Sequence, residues 1–351
     1  MAARSAPKAA AFAARHAIPA VHGSYDDLLA DPDVDVVYVG TIADKHAEWA
    51  RRCLMAGKPC VVEKPMTLSY ADTKELVELA RERDVFLMEG AMRRQNRDLP
   101  LYPLPQVSFR RDAGMWTRCF PAYAELRRLV AEGAVGPIVY AQGDFGWAFP
   151  ADDPDDRVWL PSSGGITLDV GMYVAQLGRV AFPGGTLRRV RADGNARHGV
   201  DYTVMATVAY DRGAGGADED DGLGDGLLQL TLTGAANTEE RCVLQGTRGR
   251  IVLDGPAHVP QRLRVLRDRG RTGGEEAADE EVIDYPLPDD PYGEGGEGNY
   301  PGSLGFVHQI AEVGDAVREG KKECASFGWE DSLEVARIVD EIVSQVKEDM
   351  V

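Results

Sequence analysis

The chain is 351 residues long, enough for two domains of ordinary size, and its 44% hydrophobic content is ample for well-formed cores. A formal net charge of −18 argues against a sequence-independent nucleic-acid binder, because such proteins cluster Lys and Arg against phosphates. No apolar run approaches a membrane span. The Ala-rich start, broken by Arg4, Lys8, Arg15 and His16, lacks the continuous apolar core of a secretory signal, so a cytoplasmic address is expected. Cys53, Cys60, Cys119, Cys242 and Cys324 are scattered without a Cys-x-x-Cys pair, which indicates neither a disulfide framework nor a metal site.

Taken in order, Ser5 is placed to cap a helix over 6–16, and a short helix follows over 25–29. Residues 34–39 read as a buried strand ending in Gly40-Thr41, and 45–56 as a helix closed by Gly57. Next comes Pro59-Cys60-Val61-Val62-Glu63-Lys64-Pro65. Its β-branched run suits a strand buried on both faces, and Pro65, with no N–H to donate, ends the ladder. Glu63 and Lys64 then sit at a strand's carboxyl end, where ligands bind in open α/β sheets. Alone, the same string also fits a surface turn holding a Glu–Lys ion pair. A helix over 70–83 and a strand over 85–89 complete an alternation that predicts a parallel sheet with right-handed crossovers.

Residues 91–114 carry Pro100, Pro103, Pro105 and five Arg, with no apolar period of either kind; they read as an insertion outside the core. From Met115 a second domain is expected: a helix over 121–132, a strand over 138–147, and a helix opened by Gly164-Gly165-Ile166-Thr167-Leu168-Asp169 and running to about 180. Strands then dominate, over 187–192, 202–209, 227–233, 241–245, 250–253 and 262–266, which predicts a largely antiparallel sheet with one face under helices and the other free for a partner. Acidic or Gly-rich segments over 213–226, 273–281 and 289–298 interrupt it. Asp218-Glu219-Asp220-Asp221 lacks the spacing of a calcium loop. The tail over 329–347 is an amphipathic helix with Leu333, Val335, Ile338, Val339, Ile342 and Val346 as its stripe.

Gly40-Thr41 with His46, then Glu63-Lys64-Pro65, then Met88-Glu89-Gly90 resembles, in order, the family of glucose-fructose oxidoreductase and inositol dehydrogenase. Met115-Trp116-Thr117-Arg118-Cys119-Phe120-Pro121-Ala122 is similar to that family's dihydrodiol and D-xylose dehydrogenase branch. The likeness spans nearly the whole chain. It implies a Rossmann-like parallel sheet over 1–90 and, after the 91–114 insertion, a substrate-binding and dimerisation domain over 115–351 built on a mostly antiparallel, open-faced sheet. It further implies hydride transfer between nicotinamide and a carbinol carbon of a sugar, polyol or trans-dihydrodiol, with NADP as cofactor in preference to NAD, in a homodimer formed through the second sheet.

By the same likeness, Lys64 would hydrogen-bond the reacting hydroxyl, Glu63 would hold that lysine, Asp169 would orient the substrate and Tyr173 would exchange the hydroxyl proton. Gly40, Thr41, His46, Glu63, Lys64 and Pro65 would border the cofactor, Arg4 would meet a 2′-phosphate, and Arg118 and Phe120 would line the substrate mouth. The plainer alternatives are a helix-start Asp169, a core Tyr173, a solvated Arg4 and a structural Arg118. Two departures qualify the match. The family opens on a strand, a Gly-x-Gly-x-x-Gly or Ala turn and a helix that cradle a pyrophosphate, whereas this sequence begins where the family's second strand is ending. Its one matching string, Gly293, Gly295 and Gly298, carries Glu294 and Glu297, which would repel a diphosphate. A truncated gene model or splice form is therefore expected, with 91–114 a retained intron or a basic surface loop. The rival expectation is a catalytically silent dimerising or binding module.

Overall fold

Backbone pairing sorts the chain into two sheets in the computed structural model, which describes residues 1–90, 115–149, 156–212, 223–268, 278–289 and 302–348. Helices α1 (Ala6–Arg15) and α2 (Tyr25–Ala30) come first, the latter capped by Ser24, whose Oγ accepts the Asp27 N–H at 3.0 Å. The first sheet is parallel and holds β1 (Val37–Val39), β2 (Cys60–Glu63) and β3 (Leu87–Gly90) in that spatial order, with Val61 opposite Met88 and Val62 opposite Glu89. Alternate residues feed separate cores. Cys60, Val62 and Leu87 pack with the crossover helices α3 (His46–Met55) and α4 (Tyr70–Arg83), while Val61 and Met88 join the core of the second half.

That second half begins with α5 (Pro121–Ala131) and the strand β4 (Ile138–Gly146). A π-turn over Thr167–Gly171 then leads into α6 (Met172–Ala175) and α7 (Leu177–Ala181). Seven further strands follow: β5 (Thr186–Arg197), β6 (Val200–Asp211), β7 (Gly226–Thr233), β8 (Cys242–Gly246), β9 (Gly249–Leu253), β10 (Arg262–Asp268) and β11 (Ala278–Asp284). Their order is β11-β10-β9-β8-β4-β7-β6-β5, antiparallel throughout except where β4 meets β7. Period-two alternation sets the faces. In β4, Ala141, Gly143 and Phe145 are buried under the helices, whereas Tyr140 and Gln142 look outward beside Leu227 and Gln229 of β7.

Two helices close the chain, α8 (Phe306–Arg318) and α9 (Trp329–Glu348). The apolar stripe of α9 buries Val335, Ile338, Val339, Ile342 and Val346, each contributing about 1.5–3 kcal/mol on burial. Gln345 fastens it to β5, accepting from the Ala192 N–H at 2.9 Å and donating to Val190 O at 3.2 Å. At its other end Trp329 Nε1 donates to Leu87 O of β3 at 3.1 Å, so one helix touches both sheets.

Several elements differ from expectation. The first strand starts only at Val37, since Asp33 and Asp35 leave the preceding residues outside the ladder. A single helix to about residue 180 is replaced by the π-turn and two short helices joined at Gln176. β11 had read as an acidic loop. It is held to β10 by Arg262–Asp284, Arg264–Glu280 and Arg267–Glu281 pairs, opposite charges placed by cross-strand register. α8 was not anticipated at all. The readings of 91–114, of Asp218–Asp221 and of the Gly293, Gly295, Gly298 string fall outside the described residues. Among those described, no helix is long and apolar enough to cross a membrane, and no group of three or more His, Cys, Asp or Glu is disposed to hold a metal ion.

Candidate active site

Lys64 directly follows β2, so the strand delivers its side chain to the carboxyl end of the parallel sheet. From there the ammonium crosses to the second half of the molecule, donating to Asp169 O at 2.7 Å and to Asp169 Oδ1 at 2.8 Å. Both partners are nearly dry, with side chains 3% and 10% exposed. Such a pair survives burial only when its remaining polar atoms are matched. Trp147, one residue past β4, supplies the match by donating its Nε1–H to Asp169 Oδ2 at 3.0 Å. Each carboxylate oxygen keeps a second lone pair, with which it can accept from a substrate hydroxyl.

Asp169 lies in the π-turn and Tyr173 in α6, four residues on, so the two stand about one turn apart. Entry to this turn depends on Gly165. Its φ is +103°, and a Cβ there would stand 2.1 Å from Asp201 Oδ1, so only glycine lets that carboxylate approach. Asp201 Oδ2 accepts the Thr167 N–H at 2.7 Å and so satisfies a backbone donor at the start of the turn. Burial pushes the Asp201 carboxyl above its ordinary range, against the pull of the bonds from Thr167. We expect Asp201→Ala to lower unfolding free energy by about 1–2 kcal/mol in a urea titration. A change below about 0.5 kcal/mol would show that the turn does not lean on this carboxylate. The Tyr173 ring, 4% exposed, packs 5.3 Å from Phe145 and 5.8 Å from His258, the latter paired with Glu240 at 2.5 Å.

Glu63, expected to hold the Lys64 ammonium, has other partners. Its Oε1 accepts from the Tyr38 hydroxyl at 3.1 Å and its Oε2 from the Lys64 backbone N–H at 2.8 Å. It braces the strand end while Asp169 takes the charge. His46 is likewise internal: 1% exposed, with Nδ1 2.7 Å from Pro65 O and Nε2 3.2 Å from Thr41 O, it ties the ends of β1 and β2 together. Gly40 directly follows β1, and Thr41 borders a groove of about 210 Å³ walled also by Arg4, Tyr25, Ile42, Lys45, Glu48 and Trp49, with Glu48 paired to Lys45 at 2.8 Å.

Arg118 and Phe120, expected at the substrate mouth or in a structural role, are both buried in the interior. Arg118 Nη1 lies 3.2 Å from Gln176 Oε1 and Nη2 lies 3.6 Å from Asp331 Oδ1, with burial holding its pKa below the usual value. Arg179 shares Asp331 at 3.0 Å, so the guanidinium belongs to a network pinning α9 to the helices beneath it. Phe120, 2% exposed, packs edge-on to Trp116 at 5.0 Å. Sequence reasoning missed Trp147 and Asp201. An indole just past a strand end and an aspartate at a strand start carry no pattern that marks them before the fold is known.

Comparison with known proteins accords with this geometry. Residues 1–91 match the family model GFO_IDH_MocA, described as an oxidoreductase family with an NAD-binding Rossmann fold, and residues 123–252 match the GFO/IDH/MocA C-terminal domain. The trans-1,2-dihydrobenzene-1,2-diol dehydrogenase of Oryctolagus cuniculus is 30% identical over 343 residues, covering 97% of this chain and 88% of that protein; the Danio rerio protein of the same name is 31% identical over 349 residues, covering 99% and 87%. In fold, a levoglucosan dehydrogenase solved with NADH and levoglucosan superposes with a TM-score of 0.73 at 21% identity, over 99% of this chain and 87% of that one. An aldose-aldose oxidoreductase from Caulobacter crescentus gives 0.71 at 19%, over 99% and 89%. With both halves matched and the lysine of the first locked onto the aspartate of the second, the chain belongs to the GFO/IDH/MocA family of oxidoreductases.

Proposed function

We propose that the protein is an NADP-dependent dehydrogenase that moves a hydride between nicotinamide and a carbinol carbon of a sugar, polyol or trans-dihydrodiol. The observation that carries this reading is the buried Lys64–Asp169 pair, which sets an ammonium at a strand tip against the turn that leads into α6, the helix bearing Tyr173. Two of the three Lys64 N–H groups go to Asp169, and the third is available to a substrate oxygen. In that role Lys64 stabilises the charge growing on the oxygen, Tyr173 exchanges the hydroxyl proton, and Asp169 with Trp147 keeps the ammonium from turning away. When bound, the nicotinamide supplies the hydride acceptor or donor.

The residues present fit a dinucleotide at its two ends. Lys64 and the strand termini braced by Glu63 and His46 suit the nicotinamide, and the groove that Arg4 lines suits the adenosine, where the Arg4 guanidinium would meet a 2′-phosphate. A charge-assisted contact of this kind is worth about 1.5–3 kcal/mol. In a fluorescence titration NADPH should therefore bind in the micromolar range, and Arg4→Glu should weaken NADPH at least about tenfold while moving NADH less than about twofold. Equal weakening of both would leave Arg4 a solvated residue, and no binding of either would remove the dehydrogenase reading. The same reading seats a second copy on the open face of the larger sheet, where Tyr140 of β4 and Leu227 of β7 are exposed side by side and Met205 of β6 is exposed farther along the ladder.

A further inference from the structure

Buried cations respond strongly to any second charge nearby, and Lys64 has one beyond Asp169. At the end of β3 stands Glu89, 4% exposed, whose Oε1 accepts the Met66 N–H at 3.0 Å, two residues past Lys64. Its carboxylate therefore fixes the backbone of the very turn that carries the lysine. Burial pushes the Glu89 carboxyl up to about 7, against the pull of that N–H and of the Lys64 ammonium. The side chain also lines a cavity of about 20 Å³, room for about one water molecule. Thr67 and Thr73, whose hydroxyls lie 2.7 Å apart, form one wall. Asp340 of α9, half-buried and accepting the Tyr70 N–H at 3.2 Å, forms another and leads toward the surface. Polar partners of this kind are what a buried water requires. Among the described residues, Lys64 from the end of β2 is the charge that acts on Glu89, and Asp340 of α9 is the other ionisable group lining the cavity; α4 presents Thr73 there, the π-turn Leu168 and α6 Met172.

We propose that Glu89 is a positioning residue for Lys64, exchanging a proton through this cavity and so adding or removing a second negative charge beside the ammonium that Asp169 already holds. On the alkaline side Glu89 is ionised, and the ammonium has a second carboxylate charge near it besides that of Asp169. On the acid side Glu89 has taken up a proton from bulk solvent by way of the cavity, and Lys64 is left with the charge of Asp169 alone. The site's competence then follows a carboxyl group that touches neither substrate nor cofactor. The catalytic consequence rests on the role given to Lys64 above, but the coupling itself does not.

Infrared pH-difference spectra of the unliganded protein test the coupling directly. A protonated-carboxyl band titrating near 7 should be present in the wild type and absent from Glu89→Gln, whose amide oxygen can still accept the Met66 N–H. In Lys64→Met the midpoint of that band should rise by about one pH unit or more, because the ammonium no longer favours the ionised form. A band that survives Glu89→Gln, or a midpoint unmoved by Lys64→Met, overturns the proposal. With NADP⁺ and trans-1,2-dihydrobenzene-1,2-diol, Glu89→Gln should also lose the inflection of kcat near neutrality while KM changes less than about twofold. An unaltered pH profile in that variant would likewise overturn the assignment. Wild-type turnover in Lys64→Met would instead count against the dehydrogenase reading and leave the infrared result standing.

Discussion

Lys64→Met should lower kcat by about 10³-fold while changing NADPH affinity less than about threefold, measured by steady-state turnover beside a fluorescence titration. Methionine nearly conserves the volume of the lysine stem, so the packing around the strand tip is retained. What disappears is the N–H that the proposed reaction offers to the substrate oxygen, an interaction worth most when charge develops in a water-poor site. The variant also leaves Asp169 without its cation. Because Trp147 still donates to Oδ2, the carboxylate keeps one of its partners, and the loss of stability should be smaller than the loss of turnover. Equal loss of turnover and of cofactor affinity would mean that Lys64 serves binding alone.

Asp169→Ala should act chiefly on stability, lowering unfolding free energy by about 3–5 kcal/mol. In this variant Lys64, 4% exposed, keeps the backbone oxygen of residue 169 as a hydrogen-bond acceptor but loses the carboxylate that pairs with it directly, and a buried cation stripped of its ion-pair partner is far more costly than a neutral gap. Combining it with Lys64→Met removes both charges, so the double variant should be more stable than Asp169→Ala alone, a coupling that chemical denaturation can read as a double-mutant cycle. Simple additivity of the two single losses would show that the ion pair is not desolvated as the structure places it.

The contrast between Glu63 and Asp169 shows how far residues alone can be read. That a lysine stands at a strand tip was legible, because a Val-rich run stopped by proline is a local signal. Which carboxylate holds it was not. Consecutive residues of an extended chain point to opposite sides, so the adjacent Glu63 could not easily reach the Lys64 ammonium, and the true partner lies 105 residues downstream. The same limit explains Arg118. An arginine in an aromatic segment reads equally as a ligand contact or a structural residue, and its contacts with Gln176 and Asp331, remote in sequence, exist only once the chain is folded. The alternating strands of the larger sheet were legible from period two. β11 was not, since four of its seven residues are acidic and its order comes from arginines on a neighbouring strand. α8 was obscured by glycines and a half-polar buried stripe of Gln309, Val313 and Ala316.

The closing helix α9 carries a mechanical consequence. At 1.5 Å per residue its 20 residues form a strut of about 30 Å, bolted to β3 at one end through Trp329 and to β5 at the other through Gln345. A swing that drew the two sheets apart as rigid bodies would have to tear out one of those bolts. Admission of a bulky ligand between them is thereby confined to sliding of the strut along its seat or to yielding of the segments around it.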